Sequence, residues 1–136
     1  MRYLLDTNVV SDARRGSSSA LDRWLAGQPL ADLAISAITL LELDVGVRLT
    51  ERRDPTAGSL LRVWLDDVVR PMFDGRTLPV DELVAREASP LHVPDPMPNL
   101  DALIAATALS HGLTLVTRNT RGMGRTGVAV LNHWLL

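Results

Sequence analysis

Asp6, Glu42 and Asp101 are the residues of this 136-residue chain whose types and positions could do chemistry together. Asp6 directly follows a short β-type run over 2–5; taken alone, it reads equally as a turn residue or a helix N-cap. Glu42 has apolar neighbours on both sides in Ile38-Thr39-Leu40-Leu41-Glu42-Leu43, so its carboxylate borders a buried face. There it needs a cation or several donors, and a salt bridge to an arginine would serve. Asp101 falls in the first turn of an apolar helical segment, where the macrodipole favours an anion by ~0.3–1 kcal/mol and could account for it alone. Gathered in one cleft, the three are a different matter. They would repel one another unless a divalent cation neutralised them, and all-oxygen ligation by few protein groups suits Mg²⁺ or Mn²⁺. Such an ion could polarise a phosphodiester and lower the pKa of water, giving in-line hydrolysis.

A fourth stretch, Leu115-Val116-Thr117-Arg118-Asn119-Thr120, follows another strand end. Thr117 and Asn119 could hydrogen-bond a water or a phosphate oxygen, and Arg118, Arg121 and Arg125 are candidates to pair with a nucleic-acid backbone. A polar turn is the plainer alternative. Gly122-Met123-Gly124-Arg125-Thr126-Gly127 matches G-x-G-x-x-G, but a dinucleotide fingerprint must open a helix straight after a strand. Here the pattern follows a polar turn and leads into a β-type run, so an Arg-bearing hairpin or loop is expected. His111 sits at a helix end where an imidazolium suits the dipole. His133 and Trp134 read as tail packing, and His92 stands among prolines in a loop.

Elements that could bring the acids together follow from the apolar spacing. Strands are expected over 2–5, 33–36, 113–117 and 128–131, with a brief extended piece at 78–80. A helical pattern over 20–26 stops at Gly27. A helix beginning at Thr39 places Leu41, Val45 and Leu49 on one side; another covers 56–69 and is broken by Pro71 and Gly75. Asp81 is expected to cap a helix over 82–89, and Asn99 a helix over 100–110 that Gly112 ends. Strands separated by helices imply parallel pairing with right-handed crossovers, hence a three-layer α/β/α sandwich with a mostly parallel central sheet, in one domain over 1–136. In such sheets ligands collect beyond the carboxyl ends of the strands, which is where Asp6 and Thr117 would lie.

Composition closes off several alternatives. With 46% hydrophobic and 22% charged residues, the chain has the balance of a folded globular domain. There is no Cys, which excludes disulfides, a thiol nucleophile and thiolate metal sites. All 14 basic residues are Arg, so a Walker-type Gly-Lys loop is impossible, and neither Ser-x-x-Lys nor Gly-x-Ser-x-Gly occurs. The net charge of −2 rules out gripping RNA or DNA through bulk charge; contact needs a local patch. Apolar runs are too short and too interrupted for a membrane span, and Asp6 arrives too early for a signal peptide, so a cytoplasmic protein is expected.

Read in order, these motifs resemble one family. Leu4-Leu5-Asp6-Thr7-Asn8-Val9-Val10-Ser11 is similar to the opening of PIN-domain proteins, Thr39-Leu40-Leu41-Glu42-Leu43-Asp44-Val45-Gly46 to their second acidic motif, and Asp101 to Ala108 to the third. Leu115 to Asn119 resembles the fourth, and the segment from Gly127 to Trp134 the final strand. Length and form are similar to the toxin of bacterial VapBC toxin–antitoxin pairs. The resemblance implies a Mg²⁺- or Mn²⁺-dependent endoribonuclease that slows translation. It also implies a homodimer, neutralised in a hetero-oligomer by a small VapB-like antitoxin whose C-terminal segment covers the cleft. Carried over by residue, Asp6 and Asp101 match the principal metal ligands and Glu42 the remaining acid. Asn119 matches a polar position near the metal, with Thr7 and Ser11 as supporting groups.

Two positions depart from the pattern. Gly122 stands where relatives often carry an acid, and His133 where a proline is common. The first motivates a second reading, a PIN-like module that binds RNA or protein without turnover. A third, a phosphohydrolase using Asp6 as nucleophile, lacks the expected second Asp, since position 8 is Asn8.

Overall fold

The computed structural model describes residues 1–133, so Trp134 lies outside the described residues. Its strands are β1 (Tyr3–Leu5), β2 (Leu33–Ser36), β3 (Thr77–Leu78), β4 (Thr114–Val116) and β5 (Val130–Leu131). They form one sheet in the order β3-β2-β1-β4-β5, with every neighbouring pair parallel. The helices are α1 (Thr7–Arg15), α2 (Ser19–Ala26), α3 (Ala37–Arg53), α4 (Pro55–Val63), α5 (Arg70–Met72), α6 (Glu82–Ala88), α7 (Asn99–His111) and α8 (Thr120–Gly124).

Alternation along the strands divides the interior in two, as the pleat requires. Leu5, Leu33, Ile35 and Val116 face a core completed by Val9 and Val10 of α1, Leu21 of α2 and Leu43 and Val47 of α3. Leu4, Ala34 and Leu115 face the other, completed by Ile104, Ala105 and Ala108 of α7 and Met123 of α8. Helices therefore cover both faces, giving the expected three-layer sandwich. From β1 the chain winds outward to β2 and β3, then returns to place β4 on the other side of β1. The switch in direction lies between β1 and β4, and the residues that follow these two strands are Asp6 and Thr117. This is the crevice where open α/β sheets bind ligands.

Several local expectations are corrected. Helix α1 was not anticipated, because 7–15 offers little apolar repetition; its inner face is Val9, Val10 and, unusually, Asp12. Helix α3 begins at Ala37, with the Ser36 side chain capping the Ile38 N–H. Its buried side is Ile38, Thr39, Leu43 and Val47, whereas Leu41, Val45 and Leu49 are exposed, the reverse of the face suggested by spacing.

The helix expected over 56–69 starts at Pro55 and does not stop before Pro71. A π-helical stretch, Trp64–Val69, carries it into α5. The widened turn comes just before Pro71, whose ring would crowd the preceding turn of a regular helix and which has no N–H to donate. Asn99 is the first residue of α7 rather than its cap; Pro98 holds the cap position and no side chain caps there. Gly112 does end α7, in the left-handed conformation at φ 63°. The glycine-rich run 122–127 is no hairpin: its first part closes α8, and 125–127 form a turn in the loop that leads to β5.

Candidate active site

Asp6 directly follows β1 and caps α1, its Oδ1 accepting the Thr7 N–H at 2.8 Å. Its Oδ2 accepts the Thr117 hydroxyl at 2.7 Å and the Asn8 amide at 3.3 Å. Only 4% of the residue is exposed, and this burial raises the carboxyl above its ordinary range. The bonds from Thr117, Thr7 and Asn8 oppose that rise, as does the nearby His133. The side chain that caps α1 is thus also the one that lies near the other two acids.

Glu42 lies on the sixth position of α3, where the helix crosses α1. Its Oε1 accepts the Thr7 hydroxyl at 2.7 Å, and the Thr7 oxygen sits 3.1 Å from the Thr39 hydroxyl. No arginine pairs with it among the described residues; the nearby charges are Asp6 and Asp101. Desolvation, followed by repulsion from those two acids, raises its pKa, against the Thr7 bond. Asp101, in the first turn of α7, is raised by desolvation and then by Asp6. The fold brings the three acids from β1, α3 and α7 within electrostatic reach of one another, although they are more than 30 residues apart in the chain.

Among the described residues no three acidic or imidazole side chains are drawn tightly enough to cage an ion unaided. The donors are all carboxylate oxygens; burial raises their affinities for protons, and like charge adds to the rise at Glu42 and Asp101. That donor set fits an open site for a hard divalent cation that keeps several waters.

The remaining candidates divide. Thr117 is fully buried and bound to Asp6, and also accepts the Asn119 N–H at 2.9 Å. Asn119 itself caps α8: its Oδ1 accepts the Gly122 N–H at 3.1 Å. A Cβ at position 122 would lie 2.8 Å from the Asn119 amide, so Gly122 makes room for that cap. Ser11 lies one turn beyond Thr7 on α1, lining a groove beside Glu42. Arg118 places its Nε 3.5 Å from Asp12 Oδ2, while Arg121 is exposed on α8. Arg125 donates to the backbone carbonyls of Leu91, Asp95 and Pro96 and so fastens the proline-rich loop.

Two further residues do more than their sequence positions suggest. Asn8 bridges Asp6, Thr117 and, through its Oδ1, the backbone N–H of Arg118 at 3.2 Å. Its place two residues after Asp6 was the available signal. His133 is more than tail packing: it is buried, with Nε2 3.1 Å from the buried Asp12. Nothing in the spacing of two residues 121 apart could have paired them.

Comparison with known proteins agrees with this architecture. Toxin FitB of Neisseria gonorrhoeae is 38% identical over 138 aligned residues, covering 96% of this chain and 97% of that protein. VapC ribonuclease Y4jK of Sinorhizobium fredii is 31% identical, with 96% of each chain covered. The crystal structure of FitAcB from Neisseria gonorrhoeae superposes with a TM-score of 0.90 at 36% identity, covering 98% of this chain and 99% of that one. The PIN domain model matches residues 3–128, and the chain belongs to the PIN domain family.

Proposed function

We propose that the chain is the toxin of a type II toxin–antitoxin pair, an endoribonuclease that hydrolyses RNA with Mg²⁺ or Mn²⁺. The observation that carries this reading is the convergence of Asp6, Glu42 and Asp101 at the sheet's switch point, each with a raised pKa and, among the described residues, none in an ion pair with an arginine. The relatives named toxin and ribonuclease support it.

Asp6, Asp101 and Glu42 would hold the cation, which when bound supplies Lewis-acid polarisation of the phosphodiester and activation of water. Thr117 and Asn8 fix Oδ2 of Asp6, and the α1 backbone fixes Oδ1, so this carboxylate needs no reorganisation on binding. Thr7 holds Oε1 of Glu42, and the partly solvated carboxylate orients the attacking water. Asn119 acts on the site through its backbone bond to Thr117 while its side chain supports α8.

Partners follow the same reading: an antitoxin and a second copy of the chain. Apolar side chains left exposed on α3 and α4, including Leu41, Val45, Leu49 and Leu60, support association with protein surfaces. No helix among the described residues is long and apolar enough to cross a membrane.

The test is cleavage of RNA in Mg²⁺ or Mn²⁺ by the unaltered chain and by Asp6→Asn, Glu42→Gln and Asp101→Asn. Cleavage by the first alone is expected; equal cleavage by all four would remove the mechanism. A binding module without turnover is the second reading, favoured by the open spacing of the acids and by Gly122. Metal-stimulated turnover would exclude it.

A further inference from the structure

The acidic cleft raises a problem of its own. A site built from three carboxylates, on a chain of net charge −2, repels the polyanion it is proposed to cut. Cations along the path of the strand are needed, and one of the arginines expected to supply them, Arg125, is engaged otherwise: it holds the proline-rich loop.

Helices α1 and α3 offer another pair. Thr7, Ser11, Arg14 and Arg15 recur at helical spacing on one face of α1, while Glu42, Gly46 and Thr50 do so on α3. The two stripes enclose a groove of about 240 Å³. At one end Thr7 meets Glu42; two turns away, ~11 Å along α1, Arg14 and Arg15 form the wall.

Both arginines are set rather than merely present. Arg15 places Nη1 3.4 Å from Oδ1 of Asp12, a carboxylate only 1% exposed, yet its own side chain remains 54% exposed. Arg14 lies over the Trp64 ring, 5.6 Å from its centroid. Between the two ends the floor is Gly46. It is exposed in the middle of a helix, where glycine costs ~0.5–1 kcal/mol relative to alanine. A Cβ there would meet nothing within 4 Å, so packing does not require the glycine; what it leaves is an open channel.

We infer that the α1–α3 groove carries the RNA strand beside the bond being cut, with Arg14 and Arg15 holding a phosphate next to the scissile one. The inference rests on the ribonuclease reading for its substrate and adds the path by which that substrate enters. Guanidiniums suit the role because they offer several donors to phosphate oxygens. Asp12 is a positioning residue, fixing Arg15 from the buried side. Trp64 borders the same groove and orients Arg14.

The experiment uses a randomised, labelled single-stranded oligoribonucleotide, with binding read by fluorescence anisotropy and cleavage read separately in Mg²⁺. Arg14→Gln/Arg15→Gln should raise KM about tenfold while leaving kcat within about twofold, and should weaken binding equally. The slope of log affinity against log salt should fall by about 0.7, the share of one single-strand phosphate. Gly46→Gln should raise KM by filling the channel, whereas Gly46→Ala should not. Unchanged KM, affinity and salt slope in the double-arginine variant would overturn the inference. So would a fall in kcat alone. A chain that binds the oligonucleotide but never cuts it would defeat the ribonuclease reading, while the anisotropy series would still decide about the groove.

Discussion

Thr117 donates its hydroxyl hydrogen to Oδ2 of Asp6 at 2.7 Å, joining residues 111 positions apart across the switch point of the sheet. Both are buried, so the bond is made where water cannot substitute for it. Thr117→Val keeps the shape and leaves the carboxylate short of a donor. Its expected cost is ~1.5–3 kcal/mol in urea unfolding at neutral pH. Because this bond holds the Asp6 pKa down against desolvation, its loss should also move the acid limb of the cleavage profile to higher pH. Thr117→Ser should restore both, which a purely steric role for the threonine would not predict.

Repulsion among the acids gives a second expectation, of opposite sign to the usual loss on mutation. Glu42 and Asp101 have folded-state pKa values above their ordinary ones. The folded chain therefore binds more protons than the unfolded chain in the window above ~4, and stability falls as pH rises through the folded values. Glu42→Gln and Asp101→Asn remove that loss, so each should melt higher than the unaltered chain near neutral pH without metal. The advantage should shrink toward pH 4. Activity should be lost in the same variants, the exchange of stability for function expected of a strained site. Lower melting temperatures at pH 7 would show that the acids are not desolvated together.

Legibility in the sequence tracked what is local. Asp6, Asp101 and Thr117 sit in short motifs at element ends, and a parallel sheet must bring such ends together, so their neighbourhood could be expected before the fold, whereas Glu42 reaches them from the second turn of α3. The parallel order itself followed from strands alternating with helices. Face assignment on α3 could not be read the same way: Leu41, Val45 and Leu49 form an apolar stripe as good as Ile38, Leu43 and Val47, and only the packing of α1 and the sheet decides which is buried. Helix α1 was hidden because it buries a carboxylate, Asp12, where periodicity looks for an apolar residue. Its partner His133 comes from the far end of the chain.

Divalent cation should raise the melting temperature, since it binds the folded chain and relieves the same repulsion. At a concentration 100 times Kd the gain is ~2.7 kcal/mol. It should fade as pH falls, because protonation of the raised carboxyls competes with the ion. Chelation should reverse it. Asp101→Asn should abolish most of the shift while itself starting higher, so the two melting curves converge as Mg²⁺ or Mn²⁺ is added. Equal shifts in both proteins would place the ion elsewhere.

Two helical glycines give opposite predictions for the same substitution. Gly58 of α4 is buried where α4 crosses α3, and a Cβ there would fall 2.4 Å from Glu51 Cα and 2.7 Å from its backbone N. Backbone cannot step aside as a side-chain tip can, so Gly58→Ala must push the helices apart. Parting them also strains Arg62, which spans the crossing to Asp44 at 3.0 Å and Glu51 at 2.9 Å. A cost of ~2–3 kcal/mol is expected from overpacking. Gly46 of α3 has open space at the same point, so Gly46→Ala should stabilise by ~0.5–1 kcal/mol through the unfolded chain's reduced freedom. Urea midpoints that moved the same way in both would refute the distinction. The α3–α4 crossing would then not be the close one that fixes how α3 presents Glu42 to the cleft.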